Sequence, residues 1–184
     1  MRYLQRFYPQ IPITGYLPHA GKELPGERRP IAGRSIDVLY AGNLSKSFAD
    51  NIMPDLSKYT SFDAGKICRR AYEDLVAHPF KTTEEALEQA LLAEGLKLPD
   101  SELKNIIADL HFVDLYAVSH YREKTVQSLA EHGMNVRIYG AGWESCPWIQ
   151  LPNVNFCGKI PAEEVVLKMQ DAKIVLSTMT WFKD

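Results

Sequence analysis

The stretch VRIYGAGWES, residues 136–145, passes from alternating apolar residues directly into two glycines and a tryptophan. Its first part, residues 136–139, has the pattern of a short buried strand. Glycine directly after such a strand allows a positive φ and lets the backbone approach a ligand without an intervening Cβ. The stretch therefore predicts a strand end that either faces a phosphate or flat base, or merely turns the chain.

Three further short apolar runs have the character of buried strands, and they are residues 36–41 (IDVLYA), 154–157 and 174–177. The first is interrupted only by Asp37, as is typical of a strand buried on both faces of a parallel sheet. The last two flank PAEEVVLKMQDA, in which Pro161 suits the first turn of a helix. Two short buried strands joined by one helix predict a βαβ unit. The predicted fold class is α/β, a Rossmann-like, doubly wound parallel sheet.

Between the first two strands, residues 47–132 show helical periodicity with no strand pattern. Thr82 and Glu85 have capping-box spacing, and Gly95 stands where a left-handed helix end would fall. The sequence therefore predicts a helical block after the first core strand.

After Pro99 a single apolar stripe recurs every three or four residues, which predicts one long helix that continues to Gly133. The first 35 residues are rich in Pro, Gly and Arg around one strand candidate at residues 13–17. Residues 1–35 therefore have the composition of a connector.

The 184 residues are 46% hydrophobic and 24% charged, which is typical of a folded globular chain. A net charge of −2 and a pI near 6.2 offer no basic field for a phosphate backbone, so nucleic acid is not an expected partner. No apolar run has the length of a membrane span, and the first residues lack the apolar core of a secretory signal. We therefore expect a cytosolic protein; the oligomeric state is left open.

The cysteines and histidines lack the spacing of a metal site or a disulfide framework. The three cysteines, Cys68, Cys146 and Cys157, include no Cys-x-x-Cys and are interpreted as buried or incidental thiols. No metal ligand is predicted among His78, His111, His120 and His132.

Glycine follows three of the predicted strands, at Gly42, at Gly140 and Gly142, and at Gly158. Because ligands of parallel sheets bind at the carboxyl ends of strands, this pattern favours a nucleotide cleft over three unrelated turns. Gly140-Ala141-Gly142 begins like a dinucleotide fingerprint, but Ser145 replaces the third glycine and no acidic strand end follows about 20 residues later. A NAD-dependent oxidoreductase is therefore an alternative with weaker support, and no P-loop sequence occurs.

Several segments together resemble the nucleotide-binding domain of GT-B glycosyltransferases, most closely a bacterial group of the "glycosyl transferases group 1" type. They are IDVLYAGNL, YREKTVQSLAEHGMNVRIYGAGW and LPNVNFCGKIPAEEVVLKMQDAKIVLSTMTWF. The segment YLPHAG, residues 16–21, is similar to the link between the acceptor and donor domains of such enzymes. The resemblance covers about two thirds of the chain. It implies transfer of a sugar from a nucleotide-diphosphate sugar to an acceptor hydroxyl, with no permanently bound cofactor.

The chain also departs from that family. The acidic residue that holds the donor ribose in the family would follow Asp184, most of an acceptor domain would precede residue 36, and the helical block is longer than one crossover helix. The resemblance therefore implies an interior piece of a longer glycosyltransferase that has no transfer activity alone. In this interpretation residues 1–35 are an interdomain linker and the remnant of an N-terminal domain, and residues 36–184 are a partial nucleotide-sugar-binding Rossmann-like domain with a helical insertion at residues 47–119. Catalytic residues, donor base, donor sugar, acceptor and stereochemical outcome stay unassigned.

The resemblance assigns roles at the strand ends. The backbone around Lys159 and Ile160 would pair with the base edge. Backbone close to the phosphates would come from Gly42, Asn43, Gly140 and Gly142. Trp143 either stacks on the base or sugar or forms a hydrophobic plug beneath the loop. Gly142→Val is predicted to abolish nucleotide binding by placing a branched side chain in the phosphate path.

Three charged or polar side chains are further candidates. Lys46 and Arg122 either offset diphosphate charge or are solvated helix ends. His19 either lines an interdomain cleft or is an ordinary surface histidine. A non-catalytic nucleotide-binding or scaffold module, with the helical block as its partner surface, is the other alternative function.

Overall fold

The computed structural model describes residues 2–12, 29–44 and 54–178. Contacts divide the chain into two compact units. The helical unit consists of Met1–His19, Ser47–Val118 and Thr180–Asp184, and the sheet unit consists of Ala20–Lys46 and Ser119–Met179. The described helices are α1 (Arg2–Phe7), α2 (Ala64–Ala77), α3 (Thr83–Ala93), α4 (Asp100–Leu110), α5 (Val113–Glu131) and α6 (Ala162–Gln170).

The sheet unit contains four parallel strands, which are β1 (Ile36–Ala41), β2 (Val136–Tyr139), β3 (Val154–Phe156) and β4 (Ala172–Leu176). Their spatial order is β3-β2-β1-β4. Val38 of β1 is aligned with Val136 of β2 and with Ile174 of β4, so β1 is central. The prediction of an α/β fold with a Rossmann-like parallel sheet is confirmed.

The two faces of the sheet are covered by different helices. On one face Val38 belongs to the same apolar cluster as Val126 of α5. On the other face Leu39 belongs to a cluster that includes Met169 of α6. Because successive strand residues point to opposite faces, the continuous apolar run of β1 supplies both clusters.

The prediction of a βαβ unit is wrong in that its two strands are not neighbours in the sheet. The strands joined by α6, β3 and β4, are parallel members of one sheet, but they lie at its opposite edges. The helix therefore crosses over two strands. The expectation that β4 is buried is also wrong, because Ile174 and Val175 are 51% and 43% exposed. Among the described strands β4 has one neighbour, β1, and an edge strand is covered less than a central one.

The described part of the helical unit contains α1 to α4 and the first turns of α5, with no strand, as the periodicity predicts. The capping box of Thr82 and Glu85 is present at the start of α3. Gly95 has a φ of 80° after that helix, which is the left-handed conformation expected of a glycine helix end. The core consists largely of aliphatic residues such as Leu75, Leu87 and Ile107.

The single long helix predicted after Pro99 is instead two helices, α4 and α5, separated by a turn at residues 111–112. Asp114, in the first turn of α5, is buried and accepts a hydrogen bond from Thr83 Oγ1 at 2.7 Å. The turn sets the start of α5 so that this carboxylate reaches α3. The helix ends, as predicted, ahead of Gly133, whose φ is 81°.

The predicted domain boundaries stay a prediction. The contacts within the helical unit show where the first described residues of the chain pack. Residues 2–12, placed in a predicted linker, belong to the helical unit, where α1 contacts α4. Arg6 on α1 forms ion pairs with Glu88 of α3 and Asp100 of α4. The strand candidate at residues 13–17 lies outside the described residues.

Candidate functional site

The carboxyl ends of β1, β2 and β3 and the residues after β4 form one edge of the sheet unit. The chain runs from β1 outward to β2 and β3, and then returns to β4 on the other side of β1. The connections therefore change direction between β1 and β4. In open parallel sheets the crevice at this point, outside the carboxyl ends, is the usual ligand site.

The loop after β1, called the first loop, and the loop after β2, called the second loop, are hydrogen-bonded to each other. Asn43 Oδ1 accepts from the Ala141 N–H at 2.9 Å, and the Leu44 N–H donates to the Ala141 carbonyl at 2.9 Å. The Gly42 N–H donates to the Tyr139 carbonyl, also at 2.9 Å. Asn43 thus has a structural role here that the sequence did not reveal, because its side chain replaces a backbone partner for the second loop.

Arg122 is brought to the same edge from α5. Its Nη1 donates to the Asn43 carbonyl at 2.6 Å, and its Nε donates to Thr178 Oγ1, after β4, at 3.4 Å. The guanidinium therefore joins the loop after β1 to the residues after β4, across the position where the connections change direction. A half-buried arginine held in this way places a fixed positive charge at the carboxyl edge of the sheet.

Trp143 is a hydrophobic plug, and stacking on a base or sugar is wrong for this structure. Its side chain is 0% exposed, and its Nε1 donates to the Gly42 carbonyl at 2.9 Å. Tyr40 and Trp148 pack edge-on against its ring, with centroids 5.3 Å and 5.9 Å away. The indole supports the first loop from beneath and has no face available to a ligand.

The glycines of the second loop are explained by packing. Gly140 has a φ of 137°, and a Cβ there would collide with the Gly42 carbonyl. Gly142 has a φ of 91°, and a Cβ there would collide with the Leu44 carbonyl. The interpretation of Gly142→Val as a test of the phosphate path is therefore corrected, because the valine would disrupt the two loops before it met any ligand.

The loop after β3 completes the edge. The Gly140 N–H donates to the Gly158 carbonyl at 2.9 Å, which places Gly158 beside the second loop. Lys159 is exposed, and its backbone N–H has no acceptor among the residues that the structure describes. Ile160 is half-buried and packs against the cluster that contains Leu39. The Ile160 backbone N–H likewise has no acceptor among the described residues, so the backbone of both predicted residues is left for a ligand while the Ile160 side chain packs inward.

Three residues at this edge were missed by the sequence reasoning, namely Tyr40, Thr178 and Glu144. The Tyr40 and Thr178 hydroxyl oxygens are 3.4 Å apart, and Glu144 Oε2 accepts from the Gly142 N–H at 2.8 Å. Two of them could have been identified from the sequence, because Tyr40 and Thr178 lie at or just after the ends of predicted strands. Glu144 carries no motif, and nothing in its sequence context indicates that it folds back onto Gly142.

The thiols near this edge differ in exposure. Cys146 is buried, and burial together with the nearby Glu123 carboxylate raises the pKa of its thiol to about 11, so it stays protonated at neutral pH. Cys157 is exposed after β3. Within the described ranges, no group of three or more His, Cys, Asp or Glu side chains is arranged to hold a metal ion.

Two cavities lie elsewhere. One of about 260 Å³ opens at the amino edge of the sheet, opposite the candidate site, and its lining includes Asp37, Asn135 and Asn153. The other is a groove between α2 and α3, lined by Lys66, Arg70 and Gln89 among others.

Two of the predicted site residues, Lys46 and His19, lie outside the described residues.

Comparison with known proteins finds no matching family model, no matching curated protein and no matching solved structure. None of the helices in the described ranges combines the length and the apolar character that crossing a membrane requires. The class that the fold defines is therefore a Rossmann-like α/β protein, and its function has to be inferred from the geometry of the carboxyl edge.

Proposed function

We propose that the sheet unit is the donor-binding part of a glycosyltransferase and holds a nucleotide-diphosphate sugar at the carboxyl edge of its sheet. The observation that carries this proposal is the contact of Arg122 with the loop after β1 and with Thr178 after β4. This contact places a fixed positive charge where open parallel sheets bind nucleotides.

The loops around Arg122 suit a diphosphate because hydrogen bonds within the protein hold them together. Asn43 links the first two loops, and Gly158 is bonded to Gly140 of the second. A ligand that meets ordered loops loses less binding free energy to loop ordering. The exposed backbone N–H of Lys159 supports the role in base pairing that the sequence resemblance implies.

Transfer of the sugar requires little covalent chemistry from this unit. Arg122 would stabilise the charge that develops on the diphosphate leaving group, and the loops would orient the anomeric carbon. The acceptor hydroxyl and the group that removes its proton are not assigned to this chain. The sugar and the base also stay unassigned.

The proposal is tested by titrating the purified chain with UDP, GDP and NADH while recording amide chemical shifts. We expect a nucleoside diphosphate to shift the amides of Asn43, Ala141 and Lys159. Shifts caused by NADH alone, with UDP and GDP inactive, would favour the oxidoreductase, and no response to any of the three would favour a scaffold.

A matched pair of variants tests the role of Arg122. Arg122→Lys should weaken nucleoside diphosphate binding by roughly tenfold, because lysine cannot reproduce the planar fork. Arg34 is the control, since its Nη1 also donates to a backbone carbonyl, that of Ala172 at 2.8 Å, but at the amino end of β4. Arg34→Lys should leave the affinity unchanged, whereas equal effects of both variants would remove the basis of the proposal.

A further inference from the structure

A carboxylate already occupies one backbone donor of the candidate site. Glu144 Oε2 accepts from the Gly142 N–H at 2.8 Å. Gly142 belongs to the second loop, in which the Gly140 N–H donates to the Gly158 carbonyl and the Ala141 N–H donates to Asn43 Oδ1 of the first loop. The acceptor of the Gly142 N–H is instead a side chain of its own loop, two residues further along the chain.

The Glu144 carboxylate is held weakly. Its side chain is exposed, and the described residues give it no basic partner and no second hydrogen bond. A carboxylate oxygen matches a phosphate oxygen in charge sign and in hydrogen-bond acceptance. Glu144 therefore occupies the Gly142 N–H in the manner that a phosphate oxygen of a ligand would.

We propose that Glu144 is a built-in competitor of the diphosphate, which accepts from the Gly142 N–H and gives way when a nucleotide binds. This inference rests on the proposed function. The displaced carboxylate is still attached two residues away, so it also repels the incoming phosphates. A second carboxylate, that of Glu123, lies near the same loop beside Cys146. Glu144 thus lowers the affinity for nucleoside diphosphates and sets how readily they are released.

Two substitutions separate charge from hydrogen bonding. Glu144→Gln removes the charge and keeps an oxygen that can accept from Gly142, whereas Glu144→Ala removes both. Glu131→Gln is the control, because Glu131 is an exposed carboxylate at the end of α5, roughly 13 Å along that helix from Arg122 by the rise of 1.5 Å per residue. It also lies toward the amino edge of the sheet.

The first measurement needs no ligand. In the unliganded chain, Glu144→Ala should shift the Gly142 amide resonance and speed its hydrogen exchange, while Glu131→Gln should change neither. An unchanged Gly142 amide would show that the contact does not exist in solution, and this result would overturn the inference whatever the protein binds.

The second measurement is calorimetric titration of all four proteins with UDP, GDP and inorganic pyrophosphate. Relative to the unmodified chain, we expect the dissociation constant to fall by roughly three- to tenfold in Glu144→Gln and by at least as much in Glu144→Ala, as for loss of one charged competitor. Equal or weaker binding by the two Glu144 variants would overturn the inference and leave the proposed function standing. Binding of no anion by any protein would overturn the proposed function itself and, with it, the competitor role.

Discussion

The two units of the protein use polar side chains differently. In the helical unit these side chains bond mainly to one another, as in the pairs of Arg6 with Glu88 and Asp100, and of Thr83 with Asp114. At the carboxyl edge of the sheet unit, Asn43 and the indole of Trp143 bond to backbone groups of the loops. The first arrangement connects rigid helices, and the second fixes loop backbone that has no regular structure of its own.

This difference indicates where stability and function coincide. Most ion pairs of the helical unit are exposed, and exposed pairs contribute little free energy, so its apolar core dominates its stability. At the carboxyl edge, the side chains that hold the loops also shape the candidate site. Substitutions there should therefore affect folding and binding together, while matched substitutions in the helical unit should be milder.

The largest effect is expected for Trp143→Ala. Removing a fully buried tryptophan costs about 3 to 5 kcal/mol of unfolding free energy, and the Gly42 carbonyl also loses its indole donor. Phe80→Ala is the contrast in the helical unit, because this ring is 90% exposed and its loss should change stability by less than about 0.5 kcal/mol. Urea denaturation followed by circular dichroism measures both. Similar costs for the two variants would contradict the buried position of Trp143.

The second-largest effect is expected at Gly142, and Gly95 is its control, because the two glycines have similar φ angles of 91° and 80°. Gly142→Ala should cost more than about 3 kcal/mol, because strained φ is added to a collision with the Leu44 carbonyl. Gly95→Ala should cost only about 1 to 2 kcal/mol, since a Cβ there meets nothing within 4 Å. Equal losses in thermal or urea unfolding would show that the two loops are not packed together as described.

These glycines show how far sequence reasoning reached. The apolar patterns predicted β1 and β2 with their bounds, because a strand buried on both faces has a nearly continuous apolar run, as in β1, and a short strand can also be recognised by alternation, as in β2. The sequence also indicated that Gly140 and Gly142 allow a positive φ, which both adopt. It could not show that the neighbouring carbonyls fill the space beside them, because that packing depends on loops about 100 residues apart in sequence.

The features that the sequence did not predict all depend on tertiary contacts. The turn at His111 and Phe112 contains neither proline nor glycine, and the apolar stripe continues through it, so the sequence carries no signal for the helix break. The partner of Asp114, Thr83, lies on another helix. In the same way, the sequence offered burial of Trp143 beneath the loop as one of two alternatives but could not decide between them, because the contacts that bury it come from distant residues.

A smaller effect is expected from the buried pair of the helical unit. Asp114→Ala leaves the buried Thr83 hydroxyl without its acceptor and should cost about 1 to 3 kcal/mol. Adding Thr83→Val should recover part of this loss, because neither polar group is then left unpaired. Urea denaturation of the two single variants and the double variant forms a complete cycle. Strictly additive losses would mean that the two side chains do not interact.

The smallest effect concerns pH and the pair of Glu84 with His111, whose Oε1 and Nε2 atoms are 3.6 Å apart. The Glu84 carboxylate raises the pKa of His111 above its ordinary 6.5, with a further contribution from Asp114, and the His111 imidazole lowers the pKa of Glu84 below its ordinary 4.5. The stability that charged His111 contributes is complete below pH 6.5 and is lost as the pH rises through the raised pKa of His111. The stability that charged Glu84 contributes is complete above pH 4.5 and is lost as the pH falls through the lowered pKa of Glu84.

The pair should therefore stabilise the protein most between about pH 4.5 and 6.5. His111 is 47% exposed, so solvent screening limits the contribution to about 0.2 to 1 kcal/mol. His111→Gln should remove this amount at pH 5.5 and almost none at pH 9, where the imidazole of the unmodified chain is neutral. His132→Gln, an exposed histidine after α5, is the control and should leave the pH profile unchanged. A loss from His111→Gln that is the same at both pH values would show that the imidazole acts by packing, because only the charged form responds to Glu84.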